Sequence, residues 1–222
     1  DRRTGINTMD FDLSTIAYTA SVWVIPVLIA VTLHEAAHGW VAWRLGDDTA
    51  YQLGRVTFNP IKHIDPFGTI LLPALLLLGS GGRMMFGFAK PVPVNFGRLR
   101  QPRRDMVLVA LAGPASNILI ALVATALLHA AILLEGDVRE WTTINLLNAI
   151  RINILLCIFN MIPLPPLDGG RVAVGLLPAP LAIRFAKLER VGFIILLAAL
   201  FLLPYLGDTI GLDLNIFYWL AG

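Results

Sequence analysis

The chain has 222 residues, of which 57% are hydrophobic and only 14% are charged, and its mean hydropathy is +0.74. A soluble domain carries about 25% charged residues, so this composition excludes an ordinary soluble protein and predicts an integral membrane protein of one domain, residues 1–222. The formal net charge of +2 is too small to indicate a nucleic-acid partner. A single cysteine, Cys157, excludes an internal disulfide and a cysteine-based metal site.

Four apolar segments predict an all-α protein that crosses the membrane about four times. Residues 1–12 before the first segment are polar and lack the apolar run and cleavage site of a signal peptide. We therefore expect no removable signal peptide, and we expect the first helix to stay in the membrane. The predicted core helices span about residues 13–44, 106–134, 144–162 and 191–206.

Two shorter segments lie between the first and second predicted helices. Residues 67–78 are apolar but too few to span, and they contain Pro73, which is typical of a re-entrant segment. Residues 84–96 contain Gly87, Pro91 and Pro93 and show a rough alternation of side chains. This pattern predicts a short β-ribbon. The expected architecture is four helices, one re-entrant segment and one ribbon.

The placement of charged residues predicts the orientation of the chain. Basic side chains concentrate in residues 81–105 and 164–190, whereas residues 135–141 form a mainly acidic loop. The tail, residues 207–222, has acidic side chains and no lysine or arginine. Because cytoplasmic loops are enriched in lysine and arginine, we expect both basic stretches in the cytoplasm and the acidic loop and tail outside. The first helix then ends on the cytoplasmic side if residues 67–78 are re-entrant.

A His-Glu-x-x-His motif occupies residues 34–38, near the end of the first apolar segment. His34 and His38 are four residues apart, so both imidazoles project from one helix face and can bind one metal ion. Glu35 lies beside them, where it can take a proton from metal-bound water. Ionisable side chains in hydrocarbon are costly and usually functional, so we interpret the motif as a metal site rather than as packed histidines.

A catalytic zinc site has three protein ligands, so a third His, Glu or Asp is expected at a similar depth. Asp168 is the best candidate, because Gly169 and Gly170 allow the backbone to approach a metal closely. The alternative interpretation of this segment is a plain turn that follows the third helix.

In their order along the chain, these motifs resemble the site-2 protease family of intramembrane zinc metalloproteases. The resemblance covers most of the chain, through Gly-Pro-Ala-Ser-Asn at residues 113–117 to Asn160 and Leu-Asp-Gly at residues 167–169. The Asn-Pro-Ile-Lys-His-Ile-Asp-Pro stretch at residues 59–66 is similar to the compact bacterial and archaeal members. We therefore expect neither a PDZ domain nor a regulatory domain.

The resemblance implies one zinc ion per chain and a role for several residues of this sequence. Glu35 would be the general acid and base that activates zinc-bound water. Asn160 and Asn117 would stabilise the oxyanion or orient the cleaved peptide bond. The implied zinc ligands are His34, His38 and Asp168.

The activity implied by the resemblance is hydrolysis of peptide bonds in membrane proteins, within or near the bilayer. The expected substrate is a single-span membrane protein, and the expected location is a prokaryotic plasma membrane with the active site towards the cytoplasm. Because a substrate helix must unwind before attack, the ribbon would pair with the unwound strand. The ribbon residues expected to bind substrate are Val92, Val94 and Asn95.

Two other classes of function stay open at this point. A metal transporter could use His34, His38 and Asp168 as a transit site, and it would be expected to have further ligands along a path. A catalytically inactive scaffold could bind membrane proteins, but it would leave Glu35 without a reason to sit beside the metal pair. A test for proteolysis that a metal chelator abolishes separates both classes from a protease.

Overall fold

The computed structural model describes residues 13–79 and 87–210, which are predominantly helical and contain no strand. This confirms the all-α class. The helices are α1 Leu13–Arg44, α2 Thr49–Gln52, α3 Leu72–Gly79, α4 Pro102–Ala130, α5 Gly136–Asn160, α6 Asp168–Leu176, α7 Ala179–Ala186 and α8 Glu189–Ile210.

Three helical stretches of the described residues are long and apolar enough to cross a membrane. They belong to α1, to α4 with the 3-10 turn that follows it, and to α5. These three helices pack against one another, and α6 packs on α4. The fourth predicted span, residues 191–206, lies within α8. The three spanning stretches are Ala17–Arg44, Pro102–Leu133 and Gly136–Asn160.

Small residues bring the three long helices close together. Ala30 is fully buried on α1, and Ala110 is 1% exposed on α4. Small side chains let helix backbones approach in a membrane, where van der Waals packing replaces the hydrophobic effect as the driving force. Many larger apolar side chains of α4 face outward, such as Leu119 and Leu122, which are 62% and 63% exposed. An outward apolar surface on a long helix is what a lipid environment favours.

One predicted helix boundary is wrong, and one connector contains helices that were not predicted. The acidic residues 136–141 are the first turns of α5, which begins at Gly136 rather than near residue 144. The basic stretch 164–190 contains two short helices, α6 and α7. In both places the apolar pattern that marks a spanning helix is absent. Helix propensity does not depend on apolar side chains, so polar residues can extend a helix or form one without that pattern.

The chain leaves α1 and returns to α4 at the same end of the bundle. The Arg100 N–H donates to the Leu45 carbonyl at 3.1 Å, and the Arg98 guanidinium lies 2.9 Å from the Asp48 carboxylate. The apolar segment between them is a π-helical turn, Pro66–Leu71, followed by α3. Together they extend about 21 Å, which is less than the ~30 Å hydrocarbon core. The segment therefore returns to the end from which it departs, as a re-entrant segment does.

The predicted β-ribbon is not present in the described residues. Residues 87–95 are extended but pair with no second strand. Instead, the N–H groups of Phe88 and Lys90 donate to the carbonyls of Gly68 and His63, both at 2.9 Å. The partners are helical turns, whose carbonyls do not form a regular ladder. The segment is called the extended segment below.

Parts of three predictions fall on residues outside the described ranges. These are the absent signal peptide at residues 1–12, the first part of the ribbon up to residue 86, and the end of the acidic tail from residue 211.

Candidate metal centre

The two histidines of the motif lie one helical turn apart on α1, as their spacing predicts. Their Nε2 atoms are 3.0 Å apart, and each side chain is largely buried, with 7% of each residue exposed. The rings meet edge to face, with their centroids 4.6 Å apart. The α-helix alone places the two nitrogens within reach of one ion.

Asp168 is the first residue of α6 and completes the group. Its Oδ2 lies 3.2 Å from Nε2 of His34 and 3.2 Å from Nε2 of His38, and the residue is 5% exposed. The structure thus brings Asp168 to the two predicted histidine ligands of α1, from which it is separated by more than a hundred residues of chain.

The glycine after Asp168 permits the turn that delivers it. A Cβ at Gly169 would overlap the backbone of Met161, which follows α5 directly. Only a residue without a side chain lets the start of α6 pass so close to the end of α5. The close passage carries the Asp168 carboxylate to the histidines of α1.

The second ring nitrogen of each histidine shows which nitrogen carries the proton. His38 Nδ1 lies 2.7 Å from the carbonyl oxygen of Val109, and His34 Nδ1 lies 2.6 Å from Oδ1 of Asn117. Both partners are acceptors, so each Nδ1 carries a hydrogen and donates it. An imidazole held in this way directs a lone pair at Nε2 towards a metal.

These tautomers make the group a cation site. Two Nε2 lone pairs and the Asp168 Oδ2, a buried oxygen without a hydrogen-bond donor, converge on one point. Three converging lone pairs repel one another unless a cation lies between them. Donor atoms about 2.0–2.1 Å from one zinc ion in a tetrahedron lie about 3.3 Å apart, close to the separations of 3.0–3.2 Å found here. The residues fit zinc.

Gly113 on α4 makes room for the histidines. A Cβ at this position would lie 2.5 Å from His34 Nε2, closer than nonbonded atoms can approach. The sequence did not by itself place this glycine against the metal ligands. A glycine in a spanning helix next to a Pro is the signal that could have suggested it.

Glu35 is partly buried, and its carboxylate reaches the extended segment. Oε2 accepts a hydrogen bond from the Val92 N–H at 2.7 Å. The Val92 N–H is therefore engaged by Glu35 in this structure, and the predicted pairing of Val92 with a substrate strand stays a prediction. The sequence could not reveal the contact, because 57 positions separate the two residues.

The remaining predicted site residues are placed as follows. Asn117 is fully buried, and its Oδ1 lies 2.6 Å from His34 Nδ1. The Asn160 Nδ2 donates to the Leu156 carbonyl of its own helix at 3.0 Å. Val94 packs on the cluster of Ala42, Leu99 and Val109. The Asn95 N–H donates to the fully buried Asp47 carboxylate at 2.6 Å.

Comparison with known proteins bears on what this centre does. Residues 22–136 and 128–203 match peptidase family M50. The chain belongs to peptidase family M50. This membership confirms the resemblance to the site-2 proteases. The protein is therefore a zinc metalloprotease.

Several bacterial proteins are similar to this chain over much of its length. The protein named "Putative zinc metalloprotease YwhC" of Bacillus subtilis is 41% identical over 82% of this chain and 80% of that protein. The protein named "Putative zinc metalloprotease Rip2" of Mycolicibacterium smegmatis is 32% identical over 64% of this chain, which spans 52% of that relative. Its namesake in Mycobacterium tuberculosis H37Rv is 31% identical over 87% of this chain and 70% of that protein. No solved structure matches significantly.

Proposed function

We propose that this zinc metalloprotease hydrolyses peptide bonds of membrane proteins within or near the bilayer, at the centre formed by His34, His38 and Asp168. The observation that carries the proposal is the placement of three converging, buried ligand atoms against a helix that is long and apolar enough to span. A peptide bond cleaved at this centre must reach buried ligands between helices that are long enough to span a membrane. The spanning segments of other membrane proteins are the substrates that already lie in that membrane.

Glu35 is proposed as the general acid and base. Zinc, when bound, acidifies water and polarises a peptide carbonyl. Glu35 directly follows His34 on α1, and its partly buried carboxylate takes the proton of the attacking water and delivers it to the leaving amine. The Val92 N–H holds Oε2 and so restricts the side chain to few rotamers.

Asn160 is proposed as a hydrogen-bond donor to the developing oxyanion. It is the last residue of α5, close along the chain to Asp168. Its Nδ2 is engaged with the Leu156 carbonyl, a bond within one helix that side-chain rotation can exchange for a bond to substrate. For Asn117 we propose that it orients His34 rather than the oxyanion, because full burial keeps its amide from a substrate carbonyl.

The extended segment is proposed to receive the unwound substrate by strand addition. A substrate carbonyl that pairs with the Val92 N–H takes the place of the Glu35 carboxylate and frees it for proton transfer. The pairing satisfies backbone groups that would otherwise cost several kcal/mol each in hydrocarbon. Val94 and Asn95 anchor the segment to the end of α1 through the apolar cluster and Asp47.

We further propose that α8 is a fourth span and that the centre opens towards the cytoplasm of a prokaryotic cell. The α1 end near the centre adjoins the basic residues that precede and begin α4, which include Arg98, Arg100, Arg103 and Arg104. Lysine and arginine favour the cytoplasmic side. The similar relatives named above are bacterial.

The test of this function is cleavage in a defined membrane. The purified chain is placed in lipid vesicles with a panel of single-span membrane proteins, with and without a zinc chelator, and the products are identified by mass spectrometry. We expect cleavage of at least one substrate within its spanning segment, abolished by the chelator and restored by zinc. Cleavage only of soluble loops contradicts the intramembrane site. Zinc flux without any cleavage supports a transporter instead.

The ligand set is tested separately by metal content. Purified wild-type protein is expected to retain about one zinc ion, because one open tetrahedral site uses three protein ligands. Asp168→Ala removes the only anionic ligand and is expected to lose most of the zinc during dialysis against a weak chelator. Asp65→Ala, which removes a carboxylate that caps a turn elsewhere, is the control. Equal retention by both variants would remove Asp168 from the ligand set.

A further inference from the structure

A chain of hydrogen bonds links the metal centre to a buried residue on the far helix of the bundle. Asn153 on α5 is fully buried, and so is Asn117 on α4. Asn117 Nδ2 donates to Asn153 Oδ1 at 2.7 Å, and Asn153 Nδ2 donates to the Ala149 carbonyl at 2.8 Å. With the bond between Asn117 and His34, the chain crosses all three packed helices.

The direction of this chain is set at its far end. The Ala149 carbonyl can only accept, so the Asn153 atom that faces it is the amide nitrogen, and Oδ1 faces Asn117. Oδ1 can only accept in turn, so Asn117 presents Nδ2 to it and Oδ1 to the imidazole. The His34 Nδ1 must then carry a hydrogen. One backbone carbonyl thereby determines that the His34 Nε2 lone pair is free to bind metal.

The two histidines differ in how they depend on side chains. His38 donates directly to the Val109 backbone carbonyl, which no substitution of a side chain removes. His34 donates to an amide that could rotate by half a turn and present its nitrogen instead. Asn153 prevents that rotation, because a reversed Asn117 would place two acceptors against each other.

We propose that Asn153 is a positioning residue for the zinc site, which sets the tautomer and ring orientation of His34 through Asn117. It touches neither substrate nor metal. Outer partners of metal-binding histidines typically change metal affinity by about 10–100-fold, and they act by fixing the ligand before the metal arrives. The proposal rests on the zinc site but not on the intramembrane substrate.

The test compares zinc affinities of full-length variants by chelator competition in detergent. Asn153→Leu has a similar volume and can make neither bond, so we expect zinc affinity to fall about tenfold, the smaller end of the range for outer partners. Asn148→Leu is the matched control, because Asn148 is also a buried asparagine of α5 that bonds to α1, at the Val22 carbonyl, 2.8 Å away. The control should bind zinc with wild-type affinity.

A second pair keeps the test decisive if Asn153→Leu does not fold. Asn153→Ser retains a hydroxyl that can donate to the Ala149 carbonyl and accept from Asn117, whereas Asn153→Ala retains neither bond. We expect the serine variant to bind zinc several-fold more tightly than the alanine variant. The visible spectrum of cobalt-substituted protein should shift in Asn153→Ala and not in Asn148→Leu, because it reports the ligand geometry.

Two results would overturn the proposal. One is equal zinc affinity of Asn153→Leu and Asn148→Leu when both are folded by circular dichroism. The other is equal zinc affinity of the serine and alanine variants. Neither measurement uses a substrate, so failure of this proposal is distinguishable from failure of the proposed proteolytic function.

Discussion

Each ligand of the metal centre is oriented by an atom outside the ligand set. The Val109 carbonyl and the Asn117 amide hold the two imidazoles, and the fold of α6 holds Asp168. A histidine whose Nδ1 is engaged by an acceptor presents a lone pair at Nε2 without further rearrangement. At the residue scale, the orientation of each ligand is therefore set by neighbouring groups of the fold.

The first prediction at this scale concerns Glu35. Glu35→Gln keeps an oxygen that can accept from the Val92 N–H, so the fold and the zinc content should not change. The amide can neither take nor deliver the proton, so we expect the cleavage rate to fall by about 10²–10⁴-fold. The measurement is the single-turnover cleavage rate at equal zinc content. A wild-type rate would show that Glu35 is not the general base.

The second prediction concerns Gly113. Gly113→Ala places a Cβ 2.5 Å from His34 Nε2, so the ligand must move or the helices must separate. We expect zinc affinity to fall by about tenfold or more, comparable to loss of an outer partner. Gly79→Ala is the control, because a Cβ there meets no atom within 4 Å. If both alanine variants bind zinc as the wild type does, Gly113 is not needed for space at the centre.

At the scale of elements, the extended segment has no neighbouring strand. Besides the two backbone bonds to Gly68 and His63, side chains hold it in place. Two acidic side chains accept its N–H groups, Glu35 from Val92 and Asp47 from Asn95. The Arg55 guanidinium donates to the Lys90 carbonyl at 2.7 Å. A substrate backbone that replaces one of these side chains breaks a single hydrogen bond. A substrate that replaced a paired strand would break several hydrogen bonds, at a higher cost in free energy.

The prediction at this scale separates strand addition from the positioning of Glu35. Val92→Pro removes the N–H but keeps an extended backbone, so both functions of that donor are lost. Loss of Glu35 positioning should slow all substrates equally, whereas loss of strand addition should further slow only substrates that must unwind. We therefore expect a helical membrane substrate to be slowed several-fold more than a short unfolded peptide.

The measurement is the ratio of the two cleavage rates, with zinc content checked in parallel. Val92→Ala keeps the N–H and is the control for loss of the side chain. Equal slowing of both substrates would mean that the extended segment does not hold the unwound strand.

At the scale of the whole molecule, three helices contribute to the metal centre. The chain that follows α1 meets the chain that precedes α4 at one end of the bundle. α1 carries the histidines, α4 carries Gly113 and the partners of both rings, and the turn after α5 delivers Asp168. The bond between Arg100 and Leu45 requires that the start of α4 lies beside the end of α1. This contact favours a segment 66–79 that does not cross the membrane.

This arrangement predicts the sidedness of three exposed positions. In a Cys157→Ala background, single cysteines at Leu53, Gln101 and Leu133 are tested with a membrane-impermeant thiol reagent in whole cells and in inverted vesicles. We expect positions 53 and 101 to react only from the cytoplasmic side and position 133 only from outside, since α4 separates them. Reaction of positions 53 and 101 from opposite sides would mean that residues 66–79 span the membrane.

The sequence by itself determined the membrane class, the three long helices and the three side chains that the structure brings together as a candidate metal site. These properties depend on local patterns, namely apolar length, the four-residue spacing of His34 and His38, and the glycines after Asp168. Only the tertiary structure decided which side chains Asn117 and Val92 contact, two residues that the sequence placed with the substrate. Their partners, His34 and Glu35, are 83 and 57 positions away. Hydrogen-bond partners at such separations follow from how helices pack, and a packing geometry leaves no periodic trace along the chain.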